Sequence, residues 1–284
     1  MAKKKEDNKF EFSKISTILN NISKSVPIQI VNEVKDKTFI STGVYLLDAC
    51  LSAKLLGGGI PDSRITGLIG ESGTGKSFIA LSIAKSAQKV GYSILFIDTE
   101  ESIDLIDFPK YGVDISPDKL KLIKTNKVED LNIMMSQLLD DLKDAKKTGT
   151  EIPKVLIIID SIGMMSSNKE KEDLIDGKIK QDMTRAKSLN AFFRSTSADL
   201  GYLNIPMVCC NHSYMTQDLF PREIPKGGLG LIYASSVLGF LSKSKLKNGK
   251  EDDMDLGQSG ITVLFKTQKN RMAKPKKVRI DISF

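Results

Sequence analysis

The stretch from Arg64 to Val90 constrains the fold more than any other. An apolar run, RITGLIG, leads into GESGTGKS (Gly70–Ser77), and a helical segment, KSFIALSIAKSAQKV, follows at once. The octapeptide fits G-x-x-x-x-G-K-[ST], and a strand before it with a helix after it is the context in which that pattern wraps a phosphate. Glycines let backbone N–H groups turn inward on phosphate oxygens. The opening turn of the helix adds partial positive charge. Gly70, Glu71, Ser72, Gly73, Thr74 and Gly75 therefore read as the cradle of a bound nucleotide. Lys76 reads as the group that reaches the terminal phosphates, and the Ser77 hydroxyl as a ligand to Mg²⁺.

The surrounding pattern extends this unit into an α/β fold. RITGLIG, SILFIDT, KLKLI, KVLIIIDS, IPMVCCN, SSVLGFL and ITVLFKT are strand candidates, several of them solidly apolar. Solid runs suit strands covered on both faces. Helical segments near residues 75–90, 128–147 and 178–200 lie between them, which predicts a mostly parallel sheet with helices on both sides. After about Ser235 the helices stop. LSKSKLKNGKEDDMDLGQSGITVLF reads as a hairpin turning at Asn248–Gly249, adding antiparallel strands at one edge. Residues 1–40 are a separate helix-and-strand appendage: FEFSKISTILNNI carries Phe12, Ile15, Ile18, Leu19 and Ile22 at helical spacing, and SVPIQIV reads as a short strand. Such a pair cannot bury itself and must dock on this chain or a neighbouring copy. The division expected is 1–40, an oligomerisation segment, and 41–284, the core.

Composition narrows the setting. The formal net charge is +7, which favours an anionic partner such as nucleic acid. Three cysteines suggest no disulfide framework and a reducing, cytoplasmic compartment. MAKKKEDNKF is basic with no apolar stretch behind it, so no secretory leader is expected. No apolar run approaches the roughly 18–20 residues that a membrane-spanning helix needs. The basic tail, KTQKNRMAKPKKVRI, reads either as a guarded edge strand or as a phosphate-facing surface.

Two carboxylates complete the nucleotide site. KVLIIIDS ends an apolar strand in Asp160, a second partner for Mg²⁺, which needs only one carboxylate acting through water. SILFIDTEES ends in Asp98, Glu100 and Glu101. By strand period Asp98 and Glu100 share a face, and Glu100, nearer the ligand edge of an open sheet, is the better catalytic carboxylate. Alternatively these acids cap the following helix.

STGVYLLDACL, GGGIPDSRI, FIDTE, YGVD after it and the Asp-Ser of IIIDS together resemble the core of the RecA-family recombinases. DSIG (Asp160–Gly163), DMTRAKSL (Asp182–Leu189) and NHSYMTQDLF (Asn211–Phe220) are similar to the UvsX-type recombinases of bacteriophages within that family. The resemblance covers roughly residues 40–284. It implies a RecA-like phosphate-loop ATPase that forms helical homo-oligomeric filaments on single-stranded DNA, pairs it with double-stranded DNA and exchanges strands. ATP would lie between subunits, and single-strand-binding and mediator proteins are possible partners. Two DNA loops are implied, near Ser166–Lys178 and Ser213–Gly228. In the second, Arg222 and Lys226 suit phosphates, Phe220 suits a wedge between bases, and Gly227–Gly228 precede the next element. Arg185, after the first loop, is a further phosphate candidate. Lys269 and Arg271 match the segment from which family members project two cations into a neighbour's ATP site, in the manner of an arginine finger. The adenine contact falls near Asp107, Phe108 and Tyr111 without a single assignment. Family members usually continue into a smaller, often acidic C-terminal domain; this sequence ends at Phe284, soon after the core sheet.

CCNHSY (Cys209–Tyr214) holds the one histidine. Adjacent cysteines in a strand point to opposite faces, so they do not begin a zinc set and read as buried small residues. The resemblance implies that His212, where a core strand hands over to the second loop, senses the γ-phosphate; a plain strand-end histidine is the alternative. Two other functions fit the same core: a hexameric helicase motor, and a DNA-coating or mediator protein that binds ATP without turnover.

Overall fold

The computed structural model describes residues 37–177, 183–217, 223–243 and 260–283. The expected N-terminal helix and strand, Phe220, Arg222 and the Asn248–Gly249 turn lie outside the described residues.

β1 (Phe39–Ile40) and β2 (Ile60–Pro61) form a two-stranded antiparallel ribbon, with α1 (Tyr45–Ser52) between them in the chain. The turn before α1 is fixed by buried Asp48. Its carboxylate accepts from Thr42 N (2.7 Å), Thr42 Oγ1 (2.7 Å) and Ser41 Oγ (2.5 Å). β3 (Ile65–Gly70), α2 (Lys76–Lys89), β4 (Ser93–Asp98), β5 (Leu120–Lys124), α3 (Val128–Lys147) and β6 (Val155–Asp160) then alternate as the hydrophobic pattern requires. α4 (Asn168–Ile175), α5 (Thr184–Leu203), β7 (Met207–Met215), β8 (Glu223–Pro225), α6 (Gly230–Ala234), β9 (Val237–Lys243), β10 (Gly260–Asn270) and β11 (Lys277–Ser283) follow.

The main sheet runs β11-β10-β9-β3-β7-β6-β4-β5, with β8 paired to β7. From β9 to β5 every pairing is parallel; β9–β10–β11 is antiparallel, as is β7–β8. This is the mostly parallel sheet with an antiparallel edge that the sequence predicts. α1 and α2 cover one face, burying Leu47, Ile79 and Ile83 with Phe96 and Phe108. α3, α5 and α6 cover the other, burying Leu131, Met135, Phe192 and Phe193 with Ile159. On α3 the buried residues Val128, Leu131, Met135 and Leu139 recur at helical spacing, so one stripe meets the sheet. Each large apolar side chain so buried contributes about 1.5–3 kcal/mol relative to exposure. Cys209 and Cys210 divide between the two cores, as alternation along β7 demands.

Two segments differ from the sequence expectation. The first implied loop is not irregular: Asn168–Ile175 is helical. Ser167 accepts from Glu170 N (3.1 Å), and the Glu170 side chain accepts in return from Ser167 N (3.4 Å). This capping box satisfies two terminal donors and nucleates the turn. The second segment does not leave the sheet at Asn211. β7 continues to Met215 because β8 returns against it, pairing Ser213 with Pro225 and Met215 with Glu223. His212 is therefore inside a strand rather than at its end.

Candidate functional site

Parallel strands bring their carboxyl ends to one edge, and the registers align the candidate residues there. Gly70 lies opposite His212, and Asp98 opposite Asp160. Gly70 begins the phosphate loop. A Cβ there would overlap the Leu241 carbonyl, so the close approach of β9 requires glycine. Gly75 has φ 82°, the left-handed region that glycine adopts without cost, and it turns the chain into α2. Thr74 Oγ1 donates to Glu71 O (2.9 Å) and closes the loop. Glu71, Ser72 and Gly73 are exposed along it.

Lys76 is 6% exposed, and its Nζ donates to Gly70 O (3.0 Å) and Glu71 O (2.7 Å). Burial pulls its amine below the usual lysine range, against the charges of Asp160 and Glu100. Asp160 is 5% exposed. Burial raises its carboxyl, and nearby Glu100 adds to this, while a hydrogen bond from Ser77 and the Lys76 charge oppose it. The Cys210 thiol, itself raised well above its ordinary range by burial, also hydrogen-bonds Asp160. A buried carboxylate beside a serine hydroxyl, at the start of an α-helix, is a donor set that fits a hard cation held partly through water. Ser77 and Asp160 are thus together, as the sequence reading requires.

Glu100 is not on β4. The strand ends at Asp98; Thr99 N still donates to Asp160 O (2.8 Å), but Glu100 lies beyond the ladder, so strand period does not set its facing. Buried Asp98 organises this turn by accepting from the backbone N–H groups of Glu100 (3.1 Å), Ser102 (3.4 Å) and Ile103 (3.3 Å). Asp98 therefore holds the turn, and the short helix that follows, Leu105–Tyr111, is capped instead by Asp104 in a reciprocal box with Asp107. Glu100 instead reaches Ser161, whose Oγ donates to its carboxylate, and His212, whose Nε2 lies 3.0 Å from Oε1. An ionised carboxylate only accepts, so this pairing assigns the proton to Nε2. Burial pushes the Glu100 carboxyl up, but the hydrogen bonds from Ser161 and His212 and the charges of His212 and Lys76 outweigh it, leaving it below the usual glutamate range. Thr99 fixes Ser161 from both sides, donating to its carbonyl (2.6 Å) and accepting from its N–H (2.9 Å). A cavity of about 250 Å³ opens beside Glu100, lined by Asp98, Thr99, Glu101, Thr125 and Asn126.

The neighbourhood of the second loop is tied to this edge. Lys226 N donates to His212 O (2.8 Å), and buried Asn211 donates from Nδ2 to Lys226 O (2.8 Å). The Lys226 side chain is exposed. Gly227 and Gly228, at φ 83° and 94°, pack on Leu189 and Ala186 of α5. Arg185 is half-buried: Nη1 donates to Met165 O (3.3 Å) and lies 3.8 Å from Glu170. Lys269 and Arg271 lie away from this chain's phosphate loop along the strands: Lys269, near the end of β10, is opposite Leu238 of β9, which lies opposite Gly67 of β3 rather than Gly70. Of the three residues near the adenine position, Phe108 is fully buried edge-on to Phe96 (5.2 Å), whereas Tyr111 is 40% exposed beside Phe78 of α2. Ser161, Thr99 and Asn211 are members of the site that the sequence reading did not single out. Only their neighbours Asp160 and His212 signalled them.

A phosphate loop, a strand-end carboxylate and a glutamate–histidine pair on the carboxyl edge of a parallel sheet define a phosphate-loop protein of the RecA architecture. The chain belongs to the RecA N-terminal domain family, whose profile matches residues 13–284. It is similar to the recombination and repair protein of Enterobacteria phage T4, 30% identical over 252 residues, covering 88% of this chain and 60% of that protein. It is also similar to the RecA protein of Nautilia profundicola, 29% identical, covering 86% of this chain and 65% of the relative. The RecA protein of Bdellovibrio bacteriovorus is 27% identical, with 100% and 73% covered. The chain thus spans less than two thirds of the first two relatives' length.

Proposed function

We propose that this chain is an ATP-dependent recombinase that assembles as a filament on single-stranded DNA and promotes homologous pairing and strand exchange. The observation that carries the reading is the Glu100–His212 contact, because His212 also holds Lys226, at the base of the second implied DNA loop, through its carbonyl. One residue therefore touches both the carboxylate suited to orienting water and the segment suited to gripping DNA.

In this mechanism the phosphate loop cradles ATP, and Lys76 exchanges the carbonyls of Gly70 and Glu71 for the terminal phosphates. Ser77 and Asp160 would hold Mg²⁺, which when bound would neutralise charge on the phosphate oxygens. Glu100, kept ionised by Ser161 and His212, orients the attacking water. His212 responds to the terminal phosphate and, with Asn211, sets Lys226 and the loop behind it. Arg185, Phe220, Arg222, Lys226 and the Gly227–Gly228 turn contact DNA, chiefly its backbone, while base pairing reads the sequence. Lys269 and Arg271 act in the ATP site of the adjoining subunit, and Tyr111 is the exposed aromatic for the base.

Phosphate release and DNA binding test this together. Single-stranded DNA is expected to stimulate turnover by the wild-type chain. Lys76→Ala is expected to abolish ATP-dependent DNA binding. His212→Ala is expected to keep nucleotide affinity while DNA affinity stops responding to ATP. A wild-type rate indifferent to DNA, or a Lys76→Ala protein with unchanged ATP-dependent binding, sinks the proposal.

A further inference from the structure

Lys269 reaches its position through an irregularity in β10. Val263, Phe265 and Thr267 are buried in alternation, and Thr267 lies opposite Gly239 of β9. The register then slips: Lys269 lies opposite Leu238 and Asn270 opposite Val237. Opposed residues of an antiparallel pair share a face. Gly239 lies under the Phe265 ring on the α2 side, whereas Leu238 belongs to the core beneath α3, α5 and α6. The bulge thus transfers Lys269 to the α6 side of the sheet, which is how bulges re-aim side chains. Asn270 stays on the other side, donating to Cys50 O (3.3 Å) and Leu51 O (2.8 Å) of α1.

On its new side Lys269 finds the end of α6. Its Nζ donates to Ile232 O (2.7 Å) and Tyr233 O (2.9 Å). Carbonyls at a helix C-terminus lack intrahelical partners and favour a cation. Burial, and then the charge of Arg271, lowers the Lys269 amine below the usual lysine range, consistent with a desolvated seat. The other end of α6 is held by close packing: a Cβ on Gly230 would fall 2.6 Å from Asn190 Oδ1 and 3.0 Å from Asn190 Cα of α5. Gly227 and Gly228 precede it against the same helix.

We propose that α6 is a positioning element for Lys269: its last carbonyls seat the amine, and the glycine-tight packing of α6 on α5 sets where that seat lies. The proposal rests on the reading that Lys269 serves the adjoining subunit's ATP site. It makes the end of the second loop and the cation delivered to the neighbour parts of one rigid connection.

Subunit mixing tests it. Gly230→Ala should displace the seat and lower DNA-stimulated turnover roughly 10-fold or more, because small misplacements of reacting groups are costly. Its own phosphate loop is untouched, so nucleotide affinity should be unchanged. Glu100→Gln should be inactive but should carry an intact Lys269. An equal mixture of the two should recover activity, to roughly a quarter of the wild-type rate for random head-to-tail assembly. The same mixture made with Lys269→Ala is the control. If Lys269→Ala is rescued and Gly230→Ala is not, the α6 seat is wrong. If Lys269→Ala is not rescued, the action of Lys269 in trans fails, and the proposal with it. Amine labelling of the wild-type chain, read by mass spectrometry, gives a second measure that needs no α6 variant. Lys269 should label several-fold more slowly than exposed Lys266, and equal rates overturn the seat.

Discussion

At the scale of single residues, the glutamate that the sequence points to is held by groups the sequence does not advertise. Glu100 was legible as an acid following an apolar strand, but Ser161 lies 61 positions away and meets it only because β4 and β6 pair in parallel. Asp98 and Glu100 look alike in sequence, and only the strand's end at Asp98 separates the carboxylate that holds the turn from the one that reaches Ser161 and His212. Ser161→Ala should therefore raise the Glu100 carboxyl toward the usual glutamate range. A depressed carboxylate contributes stability above its unfolded pKa and loses it as pH falls through the folded value. Wild type should exceed Ser161→Ala by about 1.5 kcal/mol at neutral pH, the low end of the range for a hydrogen bond to a charged group. The gap contributed by Glu100 ionisation should close at a pH below the ordinary glutamate range. Urea titrations across pH check this, and a gap independent of pH refutes the assignment.

At the scale of elements, long periodic segments declared themselves and short ones did not. α2, α3 and most of α5 fall where apolar spacing puts them, and the solid apolar runs are the central strands. α4 was missed because it buries no residue, leaving no hydrophobic period to read. Its one local signal was Ser167 with Glu170 three positions on, a capping box within a stretch otherwise polar throughout. The extension of β7 to Met215 depends on β8, three residues whose pairing with Ser213–Met215 no local pattern announces. Gly239, inside β9, also has its reason in a neighbour: a Cβ there would overlap the Phe265 ring. Gly239→Ala is expected to cost about 1–3 kcal/mol, the range for overpacking a core. Thermal melting should show a lowered midpoint, and Gly239→Ala with Phe265→Leu should recover part of it. An unchanged midpoint in the single variant rejects this packing account.

At the scale of the molecule, the candidate groups divide between two regions of the sheet. The phosphate loop, Asp160, Glu100 and His212 gather in the parallel part, while Lys269 stands near the end of antiparallel β10 and Arg271 just beyond it. If one subunit completes another's site, the interface is head-to-tail, which yields either an open helix or a closed ring. Electron microscopy with an ATP analogue and single-stranded DNA should show open helical assemblies, and uniform closed rings would favour a helicase-type motor. Because every parallel strand delivers its carboxyl end to the same edge, the turns entering those strands lie at the opposite one. Gly91, before β4, and Gly149, between α3 and β6, sit in such turns, and nothing lies within 4 Å of a Cβ built on either. A fluorophore or short peptide tag inserted at Gly149 would therefore sit a strand's length from the phosphate loop, giving a handle for watching single molecules without disturbing their chemistry.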